Sequence, residues 1–145
     1  MNATDSYTLE TATPVHAPDS AAADALRQRI GLLDRDDQVI LELALNAAMT
    51  HRRIADILGI EPGNVSRRIR RLGRRLHDPL VARLLDPRCP LGPDYRQIGV
   101  EHFLAGRTIA QIAARLGRSR ASVRMTLEHV RAWHGLPRAI LRRID

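Results

Sequence analysis

Lysine is absent from this chain, cysteine occurs once, and the only aromatic residues are Tyr7, Tyr95, Phe103 and Trp133. Each shortage removes a class of function. A lone Cys89 cannot build a disulfide framework and lacks a nearby thiol partner for a metal. So few aromatics argue against single-strand nucleic-acid binding, which needs side-chain platforms for stacked bases. No apolar run approaches the ~20 residues of a membrane-spanning helix. The N-terminus has neither the basic start nor the apolar centre of a signal peptide. The six histidines form no ligand pattern: His129 and His134 stand five apart, a poor spacing on a helix. There is no Gly-rich phosphate loop, no Cys–His pair in context and no paired-carboxylate motif. The chain therefore reads as a soluble cytoplasmic non-enzyme, with no cofactor, no metal and no membrane partner.

What is abundant is positive charge. The 145 residues carry a formal net charge of +7, and all 23 basic residues are arginine. A GC-rich genome would also favour arginine over lysine, so the placement of the charge says more than its type. Residues 1–25 hold Asp5, Glu10, Asp19 and Asp24 and no arginine, whereas residues 26–145 hold all 23 arginines against 12 acids. A basic body attracts polyanions and gains free energy from the counterions they release.

The chain also repeats itself. Ile54-Ala55-Asp56-Ile57-Leu58-Gly59-Ile60 followed by Val65 returns as Ile112-Ala113-Ala114-Arg115-Leu116-Gly117-Arg118 followed by Val123, an offset of 58 positions. Thr50 then falls on Thr108 and Leu72 on Val130, and upstream Leu33, Asp36 and Ile40 fall on Leu91, Asp94 and Ile98. A repeat of this length is one supersecondary unit used twice. Small Ala55 and Ala113 let two helices approach, Gly59 and Gly117 permit a sharp turn, and Val65 and Val123 anchor the next helix. That is helix-turn-helix spacing. The alternative is a pair of three-helix bundles with no role on DNA.

The predicted fold is all-α, with two tandem helix-turn-helix three-helix units joined by a Pro-rich linker. Residues 1–25 are expected to be a disordered acidic tail, 26–78 the first unit, 79–93 a linker with a short helix, and 94–145 the second unit. A short helix over 21–30, capped by Asp19 or Ser20, would dock Leu26 and Ile30 on the first unit. The next helix, 34–46, is capped by Asp34 and puts Val39, Ile40, Leu43 and Ala47 inward. Thr50 caps a helix whose Ile54, Ile57 and Leu58 face inward. Pro62 opens a third helix to Leu76 with Val65, Ile69, Leu72 and Leu76 on its core side. Asp78 and Pro79 start a helix to Leu85, and the prolines of 86–93 stiffen an extended spacer. Helices over 94–105, 109–116 and 120–134 form the second unit, with Thr108 and Ser119 as caps and Trp133 packed inside. A last helix covers 138–144. No hairpin signal suggests a wing.

Arg67 to Arg75 holds six arginines in nine residues. Like charges this close repel unless an anion neutralises them, though a solvated basic face or a basic targeting signal would share the pattern. With Leu41-Glu42-Leu43, Ile54-Ala55-x-x-Leu58-Gly59-Ile60 and Val65-x-Arg67-Arg68-Ile69-Arg70-Arg71-Leu72, the first copy resembles region 4 of sigma factors. The second copy is more divergent. The resemblance implies promoter-type reading of duplex DNA, with RNA polymerase as a further partner, in a bacterial cytoplasm at the nucleoid. It does not imply a complete sigma factor, because the module that binds core polymerase and melts DNA has no counterpart. Region 4 often carries Glu just before the Ile-Ala pair, where Arg53 and Gln111 stand here.

Helix phase picks the DNA-contacting residues. At the start of the third helix Gly63, Asn64, Ser66, Arg67 and Arg70 point outward to meet base edges. Arg68, Arg71, Arg74 and Arg75 complete the phosphate-gripping cluster. Arginine can bond two acceptors of guanine and asparagine can pair with adenine. In the second unit Ala121, Ser122, Arg124 and Met125 take the equivalent places, flanked by Arg118 and Arg120, and Glu128 either joins them or pairs with Arg124. The expected function is a sequence-specific duplex-DNA-binding transcriptional regulator. Two rivals stay open: a protein-interaction module for RNA polymerase or another regulator, and the DNA-targeting domain of a transposase or recombinase.

Overall fold

Chain polarity is written into the helix starts. In the computed structural model, residues 16–136 are described, with side chains from Ala21 onward. Most of the expected tail and the expected helix over 138–144 lie outside the described residues. Within them are eight α-helices and no strand: α1 (His16–Ile30), α2 (Arg35–Leu45), α3 (His51–Leu58), α4 (Pro62–Leu76), α5 (Pro79–Leu85), α6 (Pro93–Gly99), α7 (Ile109–Leu116) and α8 (Arg120–Gly135). Helix α6 runs on as a wider π-helical stretch, Val100–Leu104. Four caps work as the sequence demands. Thr50 accepts from the Arg53 N–H at 3.2 Å, Asp78 from Leu80 at 2.9 Å, and Ser119 from Ser122 at 3.0 Å. Thr108 forms a full capping box, its hydroxyl accepting from Gln111 N–H while the Gln111 side chain accepts from Thr108 N–H. Asp34 holds the N-cap position of α2 but makes no cap bond. Its carboxylate accepts instead from Arg107 Nη2 at 2.7 Å, across the molecule.

The 58-residue offset is visible in the backbone. Ala47 and Met49 donate to Glu42 and Leu43, and Ala105 and Arg107 donate to Val100 and Glu101. Ile60 donates to Ala55, and Arg118 to Ala113. Gly59 (φ 68, ψ 33) and Gly117 (φ 62, ψ 34) both turn through the left-handed region. Before each Thr cap sits another left-handed residue, Gly106 (φ 75) in the second half and Ala48 (φ 49) in the first. Ala48 carries a Cβ in a conformation that glycine adopts freely.

Apolar clusters link the two halves, beside a separate cluster of Ile54, Ala55 and Val65 in the first. Leu33, Leu41, Leu72 and Leu76 of the first half pack with Val81 of α5 and Leu104 of the second. The other side of α5 contributes Leu80 and Leu84, which pack with Val130 and Trp133 of α8. Phe103, the only phenylalanine, touches both groups and also the Ile98, Ile112, Val123 and Leu127 cluster of the second half. Gly99 lets Leu84 come close, since a Cβ there would fall 2.8 Å from Leu84 Cδ1.

Several expectations are corrected. Helix α1 starts at His16, before the expected caps. On α2 the buried stripe is Asp37, Ile40 and Leu41, while Ala47 is exposed. Ile57 and Leu58 of α3 are 50% and 38% exposed. That short helix buries Ile54 and Ala55 against α4, and among the described residues its outer end stays exposed. The expected helix Pro79–Leu85 is present and residues 86–92 hold no helix, but the connection is packed and not free. Both sides of α5 are buried, Arg96 Nε donates to Leu84 O at 3.1 Å, and Cys89 N–H closes a turn on Asp86 O at 2.9 Å. Asp86 also accepts from the Arg88 backbone N–H and side chain, which holds its carboxyl below the usual carboxylate range.

Two stability outcomes follow from the core and the turns. Leu84→Ala should cost about 2–5 kcal/mol, read by urea denaturation as a shift of one transition shared by both halves. Separate melting of the halves, with only one displaced, would show that α5 does not couple them. Ala48→Gly should raise stability by about 0.5–1 kcal/mol, the relief of left-handed strain exceeding the added chain entropy. A lower midpoint for that variant would contradict the strain at Ala48.

Candidate nucleic-acid interface

Helix α4 is amphipathic by charge. Val65, Leu72 and Leu76 are buried and Ile69 is half-buried, while Asn64, Arg67, Arg70, Arg71 and Arg74 are exposed. The left-handed turn at Gly59 and Pro62 at the helix start aim its first turn outward. There Arg67 Nη2 donates to Asn64 Oδ1, and the guanidinium lies back over the first turn, 3.4 Å from where a Cβ on Gly63 would stand. These two base-reading candidates are thus joined side by side. Ser66 is half-buried and its hydroxyl meets His51 Nδ1 at 2.7 Å, tying the first turn of α3 to α4. His51 was not singled out by spacing; its only signal is its place next to the Thr50 cap.

The arginine cluster divides. Arg68 Nε donates to Asp37 Oδ1 at 2.8 Å, and Arg75 Nη2 stands 3.9 Å from Asp37 Oδ2. The reason is helical geometry. Positions 68 and 75 lie two turns apart on one edge of α4, the edge that faces α2. Arg68 and Arg75 are therefore held by an internal carboxylate, rather than projecting outward as the cluster reading has them. Asp37 is the residue that spacing missed. Its side chain is 11% exposed, and it sits in phase with Leu33, Ile40 and Leu41 on the core stripe of α2. An acid in core phase beside an arginine-rich helix was the available signal.

In the second half α8 buries Val123, Thr126, Leu127, Val130 and Trp133. Arg120, Ala121, Arg124 and Glu128 are exposed, and Met125 is 70% exposed. Arg118 Nη2 donates to Ser122 Oγ at 2.9 Å, across the start of the helix. Among the described residues Glu128 makes no ion pair with Arg124, and no group of His, Cys, Asp and Glu could hold a metal. Nor is any described helix long and apolar enough to cross a membrane.

Other arginines serve the fold. Arg29, Arg83 and Arg96 donate to the carbonyls of Leu76, His134 and Leu84, at or near the ends of α4, α8 and α5. Cations there also oppose the negative end of the helix dipole. Arg83 lies 4.1 Å over the Trp133 ring, a cation–π contact.

The family model of sigma-70 region 4 matches residues 23–76. The match spans α2 to α4 and most of α1, and it supports one region 4-like domain there, of a non-catalytic DNA-binding family in transcription. No curated protein and no solved structure matches the chain.

The division of the arginines separates stability from binding. Asp37→Ala should destabilise the fold by about 1–3 kcal/mol, because it strips Arg68 and Arg75 of their acceptor. Arg71→Ala should leave thermal stability within about 0.5 kcal/mol of the parent. Equal thermal shifts for the two variants would contradict the assignment.

Proposed function

We propose that this chain, through the region 4-like domain over 23–76 and a second unit of the same design, binds duplex DNA sequence-specifically and regulates transcription. One observation carries the reading: the exposed strip Asn64, Arg67, Arg70, Arg71 and Arg74 lies opposite the buried side of α4, just beyond a helix-turn-helix corner. Its first turn would enter a major groove, with Asn64 and Arg67 at base edges and Arg70, Arg71 and Arg74 toward phosphates. The hydrogen bond between Asn64 and Arg67 orients the arginine fork before DNA arrives, which lowers the ordering cost of binding.

The second unit is read from the matching backbone of residues 105–118 and from exposed Arg120, Arg124 and Met125, with half-buried Ser122 among them and Arg118 beside it. Its base-contacting positions differ from those of the first unit, so the two would prefer different sequences. Because α5 is part of a shared core, the second unit is presented by docking and not at the end of a free tether. The domain limits proposed are 26–78 and 94–145, with 79–93 as the connection between them, built around α5. A cytoplasmic, nucleoid-associated setting goes with this reading.

A protein-binding role has one observation of its own. Ile57, Leu58 and Ile60 are exposed together at the outer end of α3, 50%, 38% and 36% respectively. A partner such as RNA polymerase could cover them while α4 stays on DNA. The targeting domain of a transposase gains no separate support.

Selection of bound sequences from a random duplex pool tests the main reading. Arg67→Ala should relax preference at one or two base pairs, at ~1–3 kcal/mol of discrimination. Arg71→Ala with Arg74→Ala should weaken all duplexes alike and flatten the salt slope by ~0.9 for each phosphate that the variant no longer neutralises. Retained sequence preference in the first variant and an unchanged slope in the second would defeat it. Arg120→Ala with Arg124→Ala should shorten the footprint of the full chain. An unaltered footprint and affinity would hand the second unit to the protein-binding reading.

A further inference from the structure

The two halves meet along a cleft of about 590 Å³ whose walls are rich in arginine. Arg68, Arg71, Arg74 and Arg75 of α4 form one wall; Gly106 and Gln111 of the second half form the other, with Asp34 and Asp37 beside them. The volume lies within the range of small-molecule sites, ~300–1,000 Å³. The charges inside are not equivalent. Asp37 is taken up by Arg68 and Arg75, and Asp34 by Arg107 at 2.7 Å. That leaves Arg71 and Arg74, three positions apart, with no acid within ion-pair distance among the described residues. The cleft therefore keeps two positive charges without counter-charges. Opposite them, Gln111 uses its carbonyl oxygen to accept from Thr108 N–H at 2.9 Å, so its amide NH2 keeps both donors for a ligand. Gly106 turns through the left-handed region (φ 75), and Arg75 Nη1 lies over it, 1.7 Å from where a Cβ would stand, so that guanidinium reaches the second half.

We propose that this junction cleft binds a phosphate-bearing anion, with Arg71 and Arg74 supplying charge and forked donors and Gln111 a third donor from the opposite half. Arginine forks match phosphate oxygens in pairs. Such a ligand would bridge α4 to α7 and tie the two halves together. Its phosphate could come from a nucleotide-like small molecule or from the backbone of bound duplex. The site goes beyond base reading by the first turn of α4, and its test does not require that reading to hold.

The test is calorimetric titration of the full chain with tripolyphosphate at physiological salt. Saturable one-to-one binding is expected, at least about tenfold weaker after Arg71→Ala with Arg74→Ala, because both charge-assisted forks are lost. Gln111→Glu keeps an acceptor for the Thr108 cap but replaces the NH2 donors with a negative charge. It should also weaken binding, with the melting midpoint unchanged. Arg52→Ala, which removes an exposed arginine of α3 from outside the cleft, should bind like the parent. No saturable binding, or equal losses in the Arg52 and Arg71/Arg74 variants, would overturn the site in favour of diffuse attraction. Duplex added at saturating tripolyphosphate then identifies the source of the phosphate. Undisturbed duplex binding supports a free phosphorylated ligand and removes Arg71 and Arg74 from the duplex contacts proposed above, and one-for-one displacement supports a backbone phosphate in the same cleft. Tripolyphosphate binding with the expected losses, in a protein that binds no duplex, would refute DNA reading and uphold the cleft.

Discussion

Burial of α5 on both sides is the constraint on which the arrangement of this molecule depends. A seven-residue helix has little stability of its own in water. It persists here because Val81 enters the core of the first half while Leu80 and Leu84 meet Val130 and Trp133 of the second. Neither half can bury its share of that helix without the other. Phe103 reinforces the joint by packing against three apolar clusters at once. The consequence for function is positional: the exposed helix surfaces of the two halves are presented from one core.

Arginine does three jobs in this chain, and the environment of each guanidinium decides which. Arg29, Arg83 and Arg96 satisfy helix-end carbonyls that would otherwise lack partners. Arg68 and Arg75 hold a largely buried carboxylate, Asp37, which without them would face desolvation alone. Arg67, Arg70, Arg71 and Arg74 keep their charge toward solvent. With exposed Arg120 and Arg124 of α8, this last group carries charge that no acid takes up among the described residues. The net charge of the chain therefore overstates the number of arginines available to a ligand.

Across the joint, Arg107 plays the part that Asp37 plays within the first half. It donates to Asp34 at 2.7 Å and stands 3.6 Å from Glu101 Oε1, which Arg115 also approaches at 3.6 Å. Asp34 gives up a cap bond to α2 for this contact, exchanging local helix stability for a connection between the halves. The same trade explains why an N-cap residue was easy to place but its partner was not.

Helix starts and left-handed turns were legible in the sequence because each is a local event. Thr50, Asp78, Thr108 and Ser119 cap the residues that follow them, and Gly59 and Gly117 turn where their neighbours require it. The outward strip of α4 was legible for the same reason, since 3.6-residue periodicity alone separates Arg67, Arg71 and Arg74 from Val65 and Leu72. What periodicity cannot supply is the neighbour. It placed Ile57 and Leu58 inward because they match an apolar stripe, yet among the described residues the outer end of α3 stays exposed. It treated Arg68 and Arg75 like their neighbours because Asp37, 31 positions before Arg68, approaches them only when α2 lies beside α4. It gave α5 its start at Asp78 and Pro79 but not its burial, which is decided by Val130 and Trp133, far along the chain. Local hydrogen bonding and helical phase determined the elements; long-range burial and charge pairing, which exist only after folding, decided which residues remain free to meet a ligand.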